Sequence, residues 1–118
     1  MTPDELRVRT RQFGLRVIEL VESLPGRRAA HVIGGQLLRA GTAAGANYRS
    51  ACRAKSNADF LSKMGTVEEE LDESLYWLEM LRDSGNVTAD VVRPLMQEAD
   101  ESLAITVSSI NTARGGKR

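Results

Sequence analysis

The chain has 118 residues, of which 42% are hydrophobic, 27% charged and only 4% aromatic. That is enough for one domain burying about two-thirds of the surface its unfolded chain exposes. Sixteen basic and sixteen acidic residues cancel, which excludes the global basicity of a typical nucleic-acid-binding domain and the acidity of a disordered chain. Scarce aromatics beside abundant Ala, Leu, Glu and Arg favour helix over strand.

A first helix is expected over about 3–24. Thr2 suits the N-cap, Pro3 the first helical position, and Asp4 and Glu5 the positive end of the helix dipole. Leu6, Thr10, Phe13, Val17, Leu20 and Leu24 follow 4-3 spacing, a heptad seam. Pro25-Gly26 ends it.

The second helix, about 29–54, has the seam Ile33, Leu37, Ala40, Ala44, Asn47, Ala51 and Ala54. Its C-terminal half is almost all small residues. Gly41-x-x-x-Gly45 reads as packing geometry, because small residues let two backbones approach. No strand precedes these glycines and no Lys-Ser/Thr follows, which argues against a phosphate loop. Asn47 falls on the seam, where a polar residue fixes register.

Ser56 caps a third helix over about 57–84, with Asp59 at its third position. Its period is the cleanest in the chain: Phe60, Met64, Val67, Leu71, Ser74, Leu78 and Leu81, widened by Leu61 and Leu75. Gly85 suits the left-handed position after its end. The fourth helix, about 90–113, is expected to have its N-cap at Asp90 or a first turn loosened by Pro94, with the seam Val92, Met96, Ala99, Leu103, Thr106 and Ile110. Residues 114–118 read as a frayed tail. Four helices of similar length joined by short loops give an all-α, antiparallel up-down-up-down four-helix bundle over residues 1–113, a single domain.

Charge is unevenly placed. Residues 25–55 hold Arg27, Arg28, Arg39, Arg49, Arg53 and Lys55 and no acid; residues 56–84 hold eight acids against Lys63 and Arg82. Two readings stand. The split is complementarity between neighbouring helices 2 and 3, or it serves a subunit interface, the basic face of one chain against the acidic face of the next. Arg27, Arg28, Arg49, Arg53 and Lys55 are therefore candidates for nucleic acid or a subunit interface; Arg49 and Arg53 share a helix face. Tyr76 and Trp77 are adjacent, about 100° apart around a helix, and cannot both face one core. With Tyr48 they are candidate interface aromatics.

Gln36-Leu37-Leu38-Arg39-Ala40, then Ala44-Gly45-Ala46-Asn47-Tyr48, Ala58-Asp59-Phe60-Leu61 and Glu68-Glu69-Glu70-Leu71-Asp72-Glu73-Ser74 carry a resemblance. Over about residues 10–110 the chain resembles the four-helix bundle proteins found within intervening sequences of bacterial large-subunit (23S) ribosomal RNA genes. Many members have Asn-Ile-Ala-Glu-Gly where this chain has Asn47-Tyr48-Arg49-Ser50-Ala51, an acid replaced beside an added arginine. The resemblance implies a homo-oligomer, a pentameric ring, with no established enzymatic activity. It also implies a relation to the accessory proteins of diversity-generating retroelements, pentameric bundles that bind nucleic acid through basic surfaces. Arg39 and Asn47 match the family motif, with a structural role in a polar core or an interface.

Catalytic chemistry finds little support. His31 is the only histidine and Cys52 the only thiol, so the usual zinc, di-iron and nucleophilic arrangements lack ligands and partners. No cofactor, no metal site and no enzymatic activity are expected. A lone cysteine precludes an internal disulfide. The N-terminus has no apolar signal region, and the longest charge-free run, Ser102 to Ala113, is too short and polar to span a bilayer. A cytoplasmic bacterial protein without a membrane partner is expected, with itself, and RNA or another protein, as partners.

Overall fold

Thr2 opens the first helix with a reciprocal cap. Its hydroxyl accepts the Glu5 backbone N–H at 3.1 Å, and the Glu5 carboxylate accepts the Thr2 N–H at 2.7 Å. Helix α1 then runs Pro3–Glu22 and buries Leu6, Thr10, Phe13, Gly14, Val17 and Leu20. The computed structural model describes residues 1–115. Helix α2 spans Arg28–Ala51, α3 Asn57–Asp83 and α4 Ala89–Ala113. The expected tail is described only as far as a turn at Arg114 and Gly115; residues 116–118 lie outside the described residues.

Each helix touches its neighbours in the cyclic order α1, α2, α3, α4, with α1 and α4 touching least and no diagonal contact. The result is an all-α antiparallel bundle, 47 × 24 × 19 Å along its principal axes. Its core is mostly aliphatic, with Phe13, Leu37, Met64, Leu71, Leu78 and Leu81 fully enclosed. Thr10, Ser74 and Thr106 are also enclosed, and each returns its hydroxyl to a carbonyl one turn back in its own helix, at 3.0, 2.8 and 2.8 Å. These three hydroxyls are thereby satisfied within their own helices.

The α3 seam is buried as expected from Met64 to Leu81, with Phe60 half-buried at its start. The Ser56 hydroxyl accepts the Asp59 N–H at 3.0 Å. At the other end Gly85 adopts φ +78°; its N–H donates to Arg82 and the Asn86 N–H to the Leu81 carbonyl, each at 3.0 Å. Those two bonds satisfy the orphan carbonyls of the last turn.

Three expectations are corrected. Helix α2 stops at Ala51, not Ala54: the N–H groups of Arg53 and Ala54 turn to carbonyls three residues back, Ser50 and Ala51, and tighten the exit. The N-cap of α4 is Thr88, so Asp90 lies inside the first turn, paired with Arg93 at 2.6 Å, and Pro94 is tolerated within the helix. The buried stripe of α4 is Val92, Leu95, Ala99, Ser102, Thr106 and Ile110. Met96 and Leu103 are only half-buried, because α4 rotates to place Leu95 and Ser102 inward.

Candidate interaction surface

The smooth stretch of α2 packs on α1. A Cβ added at Gly41 would lie 2.8 and 2.9 Å from the two γ-methyls of Val17, and one at Gly45 would lie 3.2 Å from the backbone C and O of Thr10. Across from them, Gly14 sits so close that its own missing Cβ would reach the Gly41 carbonyl at 3.4 Å. The two backbones meet where side chains are absent, and the helix-propensity cost of about 1 kcal/mol per glycine is the condition of that approach.

The same approach leaves a groove outside. Gly14, Thr42, Gly45 and Ala46 form its floor; Val8, Leu15 and Ile18 of α1 and Arg49, Cys52 and Arg53 of α2 rise around it, with Arg7 and Arg11 beside them, enclosing about 700 Å³. Val8, Leu15 and Ile18 are 57, 43 and 38% exposed, an apolar stripe on the outer side of a helix that has already buried its seam. Arg7 pairs with Asp4 at 2.6 Å. Arg11, Arg49 and Arg53 pair with no carboxylate of the described residues, so the groove is positive over an apolar floor.

Arg49 and Arg53 are thus brought together, and two α1 arginines join them. Lys55 lies in the following turn, where its backbone N–H donates to Asp59 at 3.1 Å. Arg27 and Arg28 stand at the far end of α2, a helix of 24 residues and hence about 35 Å long, and do not share this surface. None of the five is in an ion pair among the described residues. The pairing between helices 2 and 3 is made by Arg39 alone, which reaches Glu70 at 3.4 Å and also bonds Glu73. Glu73 additionally accepts the Trp77 indole N–H at 3.1 Å; that bond first, and Arg39 second, hold its carboxyl below the usual range.

Arg39 is therefore a surface tie, its side chain 51% exposed, not part of a polar core. Asn47 is half-buried and donates to the Ala43 carbonyl at 2.9 Å in its own helix. The seam position expected for it belongs to Tyr48, which is 5% exposed and packs in the core. Burial, with the Cys52 thiol alongside, pushes the Tyr48 phenol up, so it is a neutral core group and not an exposed anchor. Tyr76 is 51% exposed and meets the half-buried Trp77 edge to face, ring centroids 4.9 Å apart. Val8, Arg11, Leu15 and Ile18 were not among the expected site residues. Their 3-4-3 spacing on the face opposite Leu6 and Phe13 is the signal that reveals them.

The described residues form a four-helix bundle that carries an apolar, positively rimmed groove on its outer surface. The family is shown by comparison: residues 5–108 match the model of the 23S rRNA-intervening sequence proteins, and the chain belongs to that family. A crystal structure of a protein of unknown function from the S23 ribosomal protein family of Bacteroides thetaiotaomicron is similar, with 30% identity and a TM-score of 0.88 over 94% of this chain and 99% of that one. No curated protein matches the chain. Among the described residues no helix is long and apolar enough to cross a membrane, and no group of three metal-ligating side chains converges.

Proposed function

We propose that this protein is a non-enzymatic scaffold that works as an assembly of copies of itself, with a pentameric ring the expected size. The observation that carries the reading is the exposed apolar stripe Val8, Leu15 and Ile18 beside the glycine-floored groove. Contiguous apolar surface rimmed by charge marks an interaction site. The absence of a catalytic role is supported by His31 and Cys52, which lie near opposite ends of α2, about 30 Å apart along it. Sedimentation or light scattering at micromolar concentration tests the reading: a discrete oligomer is expected, and a stable monomer overturns it.

A second reading, an RNA-binding accessory role, is favoured by the unpaired Arg49 and Arg53. Guanidinium groups free of carboxylates are available to phosphate. Binding to 23S ribosomal RNA fragments that weakens with salt and with Arg49→Glu or Arg53→Glu is the expected result. No binding at low salt removes this reading.

A further inference from the structure

The outer side of α3 carries a surface that neither self-assembly through the basic groove nor RNA binding uses. Glu69, Asp72, Tyr76 and Glu79 follow 3-4-3 spacing, so they form one stripe on the side of the helix away from the buried Leu71 and Leu78. Tyr76 is 51% exposed, and Met80, one turn on, is 37% exposed. A chain of contacts holds the Tyr76 ring. Arg39 of α2 bonds Glu73, Glu73 accepts the Trp77 indole N–H at 3.1 Å, and Trp77 meets Tyr76 edge to face with ring centroids 4.9 Å apart. Three side chains thus fix one ring that stays half in solvent.

Toward the start of α3 the stripe runs into a shallow α3–α4 groove of about 490 Å³, lined by Gly65, Glu68, Glu69, Asp72 and Leu103. A Cβ at Gly65 would meet nothing within 4 Å, and Leu103 is half-buried, so the floor is open and apolar. Glu68, Glu69, Asp72 and Glu79 take part in no ion pair of the described residues.

Both parts ask for the same chemistry. An aromatic face beside carboxylates attracts a cation. An apolar floor under carboxylates takes the aliphatic stem of lysine or arginine while its head group meets the acids. Four unpaired carboxylates repel a phosphate backbone. From Glu69 to Glu79 is about 15 Å along the helix, the reach of about five residues of extended chain.

We infer that this α3 face binds a lysine- and arginine-rich segment of a different protein, with one basic side chain on Tyr76 between Asp72 and Glu79 and another in the groove over Gly65. The inference is independent of the self-assembly proposed above. The unpaired arginines of the chain itself are poorly placed to fill the face. Arg49 and Arg53 lie at the end of the bundle where α3 begins, whereas Tyr76 is nineteen residues past Asn57, about 28 Å above that end. Copies standing parallel in a ring do not bring the two together. A flexible basic segment carries its cations to both parts of the stripe.

Trp77, the only tryptophan, touches Tyr76 and reports on the site. A decapeptide of alternating Arg and Gly, added to the full chain at about 0.05 M salt, is expected to shift Trp77 emission and to saturate, while its citrulline counterpart does neither. In fluorescence anisotropy of the labelled peptide, Tyr76→Ala should weaken binding about fivefold and Tyr76→Phe should leave it unchanged, because the ring and not the hydroxyl is the receptor. Asp72→Asn/Glu79→Gln should weaken it about tenfold. Glu19→Gln/Glu22→Gln, which removes as much charge from α1 across the bundle, should not. All these positions are exposed, so helicity is expected to be retained in each variant. Equal losses from the two pairs, or full affinity in Tyr76→Ala, reduce the binding to general charge attraction and overturn the face. An equal Trp77 response to spermidine at matched charge, with nothing added by the peptide, gives the face to a free polyamine. A Trp77 response to protein concentration alone, with no further response to the peptide, gives it to a second copy. Either outcome overturns the basic polypeptide as its occupant.

Discussion

Helices α2 and α3 bury their inner faces by opposite means. The inner face of α3 is built from Met64, Val67, Leu71, Leu75, Leu78 and Leu81, bulky side chains that keep neighbours at a distance and fill the space between. The face of α2 is Ala30, Gly34, Ala40, Gly41, Ala44 and Ala51 with Leu37 and Tyr48, and it draws α1 in until backbones touch. The bulky face tolerates no loss of volume, and the smooth face tolerates no gain. Outside the smooth face lies the groove floored by Gly14, Thr42, Gly45 and Ala46, since close backbones leave little side chain to cover them.

The largest effect that sharpens this contrast is removal of volume from α3. Leu71→Ala, at a fully enclosed position, is expected to cost about 2–5 kcal/mol in chemical denaturation. Addition of volume to α2 should come next. Gly45→Val, whose first added carbon already lies 3.2 Å from the Thr10 backbone, is expected to cost about 1–3 kcal/mol. If Gly45→Val instead raises the melting temperature, the two helices do not differ as described.

The α1–α4 junction, where the helices touch least, provides the third. Arg9 donates to Glu98 at 2.9 and 3.0 Å and to Glu101 at 2.9 Å, and the Ser102 hydroxyl donates to Glu98 at 2.9 Å. Burial pushes the Glu98 carboxyl up, but the bonds from Arg9 and Ser102 outweigh it and hold it below its ordinary value of 4.5. A carboxyl depressed in the folded state stabilises above its unfolded pKa and loses that contribution as pH falls through the folded one. Melting temperature should therefore drop as pH falls below about 4.5. Glu98→Gln is expected to cost about 1–2 kcal/mol at pH 7 and to flatten that acid limb. An unchanged limb would assign it to other carboxylates.

The smallest effect has opposite signs at two glycines of one helix. A Cβ at Gly35 meets nothing within 4 Å, so Gly35→Ala should stabilise by about 0.5–1 kcal/mol. The same change at Gly41 meets both γ-methyls of Val17, a β-branched residue held to one rotamer in a helix. Gly41→Ala should therefore destabilise. Thermal melts of the pair decide the matter, and shifts of one sign would show that α2 glycines are interchangeable.

Much of the fold is legible in the residues. The caps at Thr2 and Ser56, the turn at Gly85 and the whole α3 stripe appear where spacing and chemistry put them. The two seam errors, in α2 and α4, share a cause. A step from Ala44 to Asn47 and one from Ala44 to Tyr48 both fit a helical seam, as do Val92 to Leu95 and Val92 to Met96. Three- and four-residue steps are equally acceptable to one helix, so its sequence leaves the rotation open by a fraction of a turn. The candidate surface was half visible: Arg49 and Arg53 stood out by charge, while Val8, Leu15 and Ile18 were masked by the stronger seam beside them.

By itself the sequence determined four helices, the caps at Thr2 and Ser56, the turn at Gly85 and the Ala/Gly character of α2, because those rest on contacts within a few residues of chain. Only the tertiary structure decided that Tyr48 goes inward and Asn47 aside, that Arg39 makes the ion pairs between α2 and α3, and that Arg11 joins Arg49 beside an apolar groove. Those outcomes depend on how each helix turns against its neighbours. That rotation is set by the volumes of side chains far apart in sequence, which no single helix encodes.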